Sequence, residues 1–326
     1  MPFLYLLLQK LYPPPKKMKI LQLDKNHPLI AEQLQRNGFQ ITEDHTSTYT
    51  QVLEKINDYD GIIIRSRIPL DGEFLRKAHH LKFIARVGAG MENIDTREAE
   101  KQNILLINSP EGNRDAVAEH ALGMLLVLMN RLFISSEEVK KGIWLREENR
   151  GDEIKGKTVG LIGYGNMGKA TAKRFSGFGC RVIFHDILPD LSDAYATQVS
   201  LELLKKESDI ISLHLPITPE THHIIDEKFI AEMNKNFYII NTARGKNIKT
   251  KALVESLKSG KIKGAALDVT EFEKPSFESL ENLNKDFKYL LTSEKVILTP
   301  HIAGWTVQSK EKLAQVIVDK ILNAFA

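Results

Sequence analysis

Hydrophobic positions along the chain come in short unbroken runs that alternate with helically spaced ones. In the first hundred residues the apolar or β-branched runs fall at 18–23, 37–42, 61–65, 81–87 and 103–107, and the amphipathic stretches near 28–36, 49–57, 71–79 and 94–102. Such alternation predicts βα units and a mostly parallel sheet. Asn108-Ser-Pro-Glu-Gly-Asn113 reads as a loop by composition. From Asp115 to about Phe133 the chain is apolar almost all round, which predicts a helix buried on most faces, between two domains or in a subunit interface. The alternation then restarts, with strand runs at 157–163, 180–185, 209–215, 236–242, 263–269 and 295–299 and helical patterns near 166–177, 200–206, 226–233 and 249–259. A last helix is expected from about Thr306, with Leu313, Val316, Ile317, Lys320 and Ile321 along one face. Two βα series in tandem predict an α/β protein of two doubly wound domains with a cleft between its lobes.

Composition narrows the function classes. A chain of 326 residues is long for one domain, and 42% hydrophobic with 27% charged residues excludes a disordered chain, a fibre or a coiled coil. The 45 basic and 42 acidic residues leave a net charge of +3 with no polybasic run, so no nucleic-acid partner is expected. Cys180 is the single cysteine, which rules out an intrachain disulfide and fits a reducing, cytoplasmic compartment; it reads as a small buried hydrophobe. Neither His-Glu-x-x-His nor Cys-x-x-Cys occurs, and no metal is expected. The apolar start, Met1-Pro-Phe-Leu-Tyr-Leu-Leu-Leu8, lacks the basic flank and the cleavage site of a signal peptide, so residues 1–17 are expected to be an extension ahead of a first strand at Met18. The longest apolar run elsewhere, Ala121 to Met129, is far short of a membrane span, and no membrane partner is expected.

Candidate chemistry lies in the second series. The run 157–163 leads straight into Gly163-Tyr-Gly165-Asn166-Met167-Gly168 and a helical pattern. In a strand–turn–helix of this kind Gly163 permits the turn, Gly165 lets backbone approach a pyrophosphate and Gly168 lets the helix pack on the strand, while the helix N-terminus faces the anion. The next strand ends at Asp186, 23 positions after Gly163, where a carboxylate accepts from ribose hydroxyls and repels a 2′-phosphate, favouring NAD over NADP. Three further strand ends carry Arg244, the acids Asp268, Glu271 and Glu273, and His301. Ligands of doubly wound sheets bind at such ends. A 2-hydroxy acid needs a cation for its carboxylate, which a guanidinium fork supplies, and a base for its hydroxyl, which a histidine supplies. A carboxylate on the other ring nitrogen would orient that histidine.

The full set of motifs resembles the D-isomer-specific 2-hydroxyacid dehydrogenases, and their phosphoglycerate dehydrogenase branch most. It covers nearly the whole chain from Met18 and consists of Arg65-Ser66-Arg67, Val87 to Asp95, Ala116 to Ala121, Gly163 to Gly168, Pro216 to Thr221, Asn241 to Gly245, Asp268 to Glu273 and Thr299 to Gly304. The resemblance implies a flavodoxin-like substrate-binding lobe, residues 18–113 and 305–326, and an inserted Rossmann NAD-binding lobe, residues 114–304. It implies Arg244, Glu273 and His301 as catalytic, with His301 the acid/base. Gly163, Gly165, Asn166, Met167, Gly168, Asp186, Thr242, Ala243, Arg244, Asp268, His301, Ala303 and Gly304 would bind the cofactor, Asp268 through the nicotinamide carboxamide. Arg65, Ser66, Gly88, Ala89, Gly90 and Arg244 would bind substrate, the turn at 87–90 through its backbone N–H groups. A homodimer held by the segment with the apolar helix from Asp115 is implied as well. Two departures from the family pattern stand out: Glu273 is followed by Lys274 before Pro275, which makes Glu271 a rival, and Trp305 replaces a small residue, where its ring could narrow the substrate range. The stretch 276–294 is unusually long and charged, suggesting a lid edge or an extra helix. No regulatory domain follows the last helix, so feedback through one is not expected. The expected reaction interconverts a D-2-hydroxy acid, 3-phosphoglycerate first, with its 2-keto acid. The alternatives are a general hydroxyacid dehydrogenase of the lactate, glycerate or glyoxylate type and a non-catalytic NAD-sensing member. Arg65, Arg67 and Arg114 could meet a phosphate or form surface ion pairs.

Overall fold

The computed structural model describes residues 17–273, 280 and 284–326. The described residues divide into two compact units, one formed by those of 17–112 with 310–326 and the other by those of 113–309.

The first unit holds five parallel strands: β1 (Lys19–Gln22), β2 (Gln40–Glu43), β3 (Gly61–Ile64), β4 (Phe83–Arg86) and β5 (Leu105–Asn108), in the order β2-β1-β3-β4-β5. Because strand side chains alternate, the sheet buries two apolar faces. Leu21, Ile62, Ile64 and Ile84 line one with Phe74 and Leu75, and Ile20, Ile63, Phe83 and Ala85 line the other with Leu34. The final helix, Val307–Phe325, lays Ala314, Ile317, Val318 and Ile321 on the second face, all fully buried. That seam runs one position off the expected one, with Leu313 at its edge.

Among the described residues the second unit holds seven parallel strands: β6 (Thr158–Ile162), β7 (Arg181–His185), β8 (Thr197–Gln198), β9 (Ile210–Leu213), β10 (Phe237–Asn241), β11 (Ile262–Leu267) and β12 (Val296–Leu298). Their order, β12-β11-β10-β9-β6-β7-β8, reverses direction at β6, the topological switch of a Rossmann sheet. Val159, Leu161, Phe184 and Ile240 pack under the helix Pro110–Met129 through Ala121, Met124 and Leu125, and Ile183, Ile211, Leu213 and Ile239 line the opposite face. Two doubly wound parallel domains are thus what the hydrophobic pattern predicted.

Two local expectations need correction, one short strand was not foreseen, and the extra helix suggested for the charged stretch is present. Asn108 to Asn113 is not all loop, since the helix begins at Pro110; proline suits a first helical position because its missing N–H would have no partner there. That helix does not continue to Phe133. It stops at Met129, Arg131 takes left-handed angles (φ 52°), and a second helix runs Leu132–Lys140. The two-residue strand β8 is too short for a periodic signal. In the charged stretch 276–294, Lys285–Thr292 is a helix started by the Asn284 side chain, which accepts from the backbone N–H groups of Asp286 and Phe287; residues 276–279 and 281–283 of that stretch lie outside the described residues, as do residues 1–16 of the predicted extension. Among the described residues no single helix is long and apolar enough to cross a membrane.

Candidate active site

The candidate residues gather at the carboxyl ends of parallel strands. Gly163 follows β6, Asp186 follows β7, Thr242 to Arg244 follow β10, Asp268 follows β11, and His301 to Gly304 follow β12. In the other unit Arg65 and Ser66 follow β3, and Gly88 to Gly90 follow β4.

His301 and Glu273 meet directly. The ring Nδ1 lies 2.7 Å from Glu273 Oε2, with the imidazole about a quarter exposed and the carboxylate mostly buried, at 26% and 13%. Glu273 Oε1 accepts from the Thr270 N–H. The rival acid is engaged elsewhere: Glu271 Oε1 lies 2.5 Å from His223 Nε2, and its Oε2 accepts from the Thr250 N–H at 2.6 Å. Lys274 and Pro275, the departure that raised the rivalry, lie outside the described residues.

Asp268 organises the turn that carries His301. This almost fully buried carboxylate accepts from Ile302 N–H (2.8 Å) and Thr299 Oγ1 (2.5 Å) on Oδ1, and from Ala303 N–H (2.9 Å) on Oδ2. His301 sits at φ 56°, a left-handed conformation that costs a non-glycine residue about 1–2 kcal/mol. The Asp268 bonds to the next two N–H groups, with the His301 N–H on the Asp268 carbonyl (2.8 Å), hold it there. Thr299 Oγ1 gives its proton to Asp268, so it accepts from His120 Nε2 at 3.0 Å, which fixes a proton on that nitrogen. His120, from the helix Pro110–Met129, lies in the motif Ala116 to Ala121, for which no role in this network was legible in the sequence.

Arg244 reaches the same loop through its neighbour. Its guanidinium donates to the Ala243 carbonyl (2.7 Å) and its N–H to Asn247 Oδ1 (3.1 Å). The next residue, Gly245, packs so closely that a Cβ there would stand 2.7 Å from the Glu271 nitrogen and nearer still to the Thr270 carbonyl. The Arg244 turn and the loop bearing Glu273 are thus in backbone contact.

In the first unit the turn after β4 is more selective than its sequence suggested. The Gly88 N–H already donates to the Arg86 carbonyl (2.9 Å) and Ser109 Oγ (3.1 Å), and Gly88 is buried, whereas Ala89 and Gly90 are partly exposed. The Arg86 side chain lies against Gly88, and its Nε donates to the Arg65 carbonyl at 3.2 Å. Arg67 is a structural tie: its guanidinium donates to the carbonyls of Leu23, Asp44 and Ser47. Arg114 is exposed, and so is Trp305, at 67%.

The chain matches the model of the D-isomer-specific 2-hydroxyacid dehydrogenase NAD-binding domain over residues 122–303. It is 35% identical over 302 residues to a hydroxypyruvate reductase from Thermotoga maritima, covering 91% of this chain and 96% of that protein. This chain belongs to the D-isomer-specific 2-hydroxyacid dehydrogenases. It is also 38% identical over 280 residues to a D-3-phosphoglycerate dehydrogenase from Methanocaldococcus jannaschii, covering 84% of this chain but 51% of that protein, so it spans about half the length of that relative. A D-lactate dehydrogenase from Aquifex aeolicus, solved with NAD and lactic acid, superposes with a TM-score of 0.81 at 32% identity, covering 94% of this chain and 95% of that one.

The cofactor of this dehydrogenase is NAD, and its residues fit one. Gly163 has φ 91°, and a Cβ on it would stand 3.0 Å from the His214 carbonyl carbon; a Cβ on Gly168 would press on Gly163. Gly165 instead faces open space, and no side chain caps the helix Asn166–Phe175 that starts beside it. That leaves a cradle and first-turn N–H groups for a pyrophosphate. The Asp186 carboxylate is held at the rim by the N–H groups of Tyr164 (2.6 Å) and Leu188 (3.0 Å). Toward the chemistry, Thr242 Oγ1 is buried without a partner among the described residues, and Asp268 Oδ2 keeps one acceptor direction, as a carboxamide requires.

Proposed function

We propose that this dehydrogenase interconverts 3-phosphoglycerate and its 2-keto acid, with His301 as acid/base, Glu273 orienting it and Arg244 binding substrate. The His301–Glu273 contact carries the catalytic reading. With Nδ1–H donating to the carboxylate, Nε2 is the nitrogen that would exchange a proton with the oxygen on C2. In reduction the imidazolium gives its Nε2 proton to that oxygen; in oxidation the neutral ring takes the hydroxyl proton. NAD, when bound, would supply or take up the hydride. Arg244 would supply the cation for the substrate carboxylate. Within the first unit the Gly88 N–H is already used, which leaves those of Ala89 and Gly90 as its donors to an anion. Asp268 would hold the carboxamide and so choose the ring face presented.

The substrate assignment rests on Arg65 and Arg86, adjacent at the ends of β3 and β4 beside the Gly88 turn. Positive charge at the strand ends of this unit suits an anion such as a phosphate. A second reading, reduction of an unphosphorylated keto acid, is favoured by the match to a hydroxypyruvate reductase over nearly its whole length. NADH oxidation with 3-phosphohydroxypyruvate, hydroxypyruvate, glyoxylate and pyruvate separates them. The proposal expects kcat/KM for the phosphorylated acid to lead by tenfold or more; a lead by hydroxypyruvate or glyoxylate overturns the substrate assignment.

We propose in addition a homodimer in a reducing, cytoplasmic compartment. Of the apolar helix Pro110–Met129, Ala121, Met124 and Leu125 are buried in the core of the second unit. The exposed apolar surface lies on the segment that follows, at Leu132, Phe133, Val139 and Trp144, and this is the surface offered to a second copy.

A further inference from the structure

Tyr164 occupies the first variable position of the glycine turn, where the motif itself demands no particular side chain. It is fully buried and stacks on Phe184 of β7, with centroids 3.7 Å apart and planes 9° from parallel. Both of its polar groups reach one segment, the connection from β7 to β8. The backbone N–H donates to Asp186 Oδ2 (2.6 Å), and the phenol donates to Asp193 Oδ1 (2.9 Å). Burial and the Asp193 carboxylate hold the phenol above its ordinary pKa, so at neutral pH the hydroxyl is the donor.

Asp193 is the knot of that segment. Its Oδ1 also accepts from the N–H groups of Tyr195 (2.8 Å) and Ala196 (3.2 Å). Gln198 ties the other side, its amide donating to the Leu188 carbonyl (2.7 Å) and accepting from the Leu191 N–H (3.0 Å). The loop so fixed borders an open recess of about 570 Å³ lined by Pro189, Asp190, Ser192 and Gln198, directly after the ribose-binding candidate Asp186.

We infer that Tyr164 is a positioning residue for the adenosine half of NAD, setting the adenosine-side loop against the pyrophosphate turn through its bond to Asp193. One side chain belongs to the pyrophosphate turn and grips the loop that carries Asp186 and the recess. Without the hydroxyl the stack remains but the loop loses its tie, and a ligand bridging turn and recess must restore the spacing itself.

The test is Tyr164→Phe, which keeps the ring on Phe184. Dissociation constants for NADH (by fluorescence) and for ADP-ribose (by calorimetry) should both rise by about tenfold, the scale of one hydrogen bond to a charged acceptor. The KM for NADH should rise with them while kcat stays within about twofold. Reduced nicotinamide mononucleotide, which lacks the adenosine half, should support the same turnover in both proteins. Asp193→Ala should reproduce the loss, Asp193→Asn should restore most of the affinity, and Tyr164→Phe/Asp193→Ala should be no worse than either single change. Unchanged ADP-ribose affinity in Tyr164→Phe overturns the inference, as does an equal loss with the mononucleotide. Failure of the wild-type protein to bind NADH would instead be a failure of the cofactor fit.

Discussion

Replacing Gly245 by alanine isolates the contact between the Arg244 turn and the Glu273 loop. Gly245 has no positive φ, so its backbone accepts alanine and the perturbation is one of packing alone. The added methyl would lie 2.7 Å from the Glu271 nitrogen, inside an ordinary separation of about 3.5 Å, and the Thr270 carbonyl is closer still. Relief therefore needs a relative shift of about 1 Å, and both neighbours are backbone atoms. The Thr270 N–H is itself bound to Glu273, so the shift passes to the His301–Glu273 pair. A misplacement of about 1 Å costs about 10²-fold in rate, or about 2.7 kcal/mol. Overpacking costs a further ~1–3 kcal/mol of stability, a fall of about 2–12 °C in Tm for a unit of this size. The assay is steady-state NADH oxidation with the best keto acid of the panel, alongside NADH affinity, which should stay within about threefold because the glycine turn is untouched. Should Gly245→Ala keep kcat/KM within threefold of wild type while folded, the two loops do not depend on each other and the coupling is refuted.

Three further outcomes are expected. Asp186→Ala removes the carboxylate that faces a 2′-phosphate, and kcat/KM with NADPH relative to NADH should rise by about tenfold or more in paired assays, the scale of one lost charge repulsion. Burial pushes His214 down to about 4 from an ordinary 6.5, so its contribution to stability is complete above about pH 6.5 and is lost as the pH falls toward 4; urea unfolding should show wild type losing about 2–3 kcal/mol more than His214→Asn between pH 7 and pH 4.5. Phe133→Glu with Trp144→Glu puts charge on the exposed apolar segment and should convert a dimer to a folded monomer in sedimentation, whereas an unchanged mass places the interface elsewhere.

What could be read from sequence followed from periodicity. Strands such as Gly61–Ile64 and Phe237–Asn241 lie in parallel sheets buried on both faces, so they appear as continuous apolar runs. The helix start at Pro110 was hidden because Asn-Ser-Pro-Glu-Gly-Asn has the composition of a loop, while Pro at a first helical position reads identically. The glycine turn and Asp186 were visible because their spacing is local. Features set by tertiary contact were not. Glu271 and Glu273 are chemically equivalent in the chain, and only the fold gives one to His223 and the other to His301. Arg67 looked available for a ligand until its guanidinium met three backbone carbonyls, and Arg86, which carried no motif signal, turned out to lie against Gly88. His120 and Thr299 are separated by 179 positions, and the Tyr164–Asp193 bond joins a glycine motif to a loop that has none.

The central claim is that His301, held by Glu273, moves the proton that accompanies hydride transfer. Single-turnover stopped-flow of NADH oxidation in His301→Ala tests it most directly, with NADH affinity measured in parallel. The expected result is a fall of the hydride-transfer rate by about 10²–10⁴-fold, the usual worth of a general acid, with NADH still bound within a few fold of wild type. A His301→Ala protein that oxidises NADH at the wild-type single-turnover rate with the preferred keto acid would contradict it.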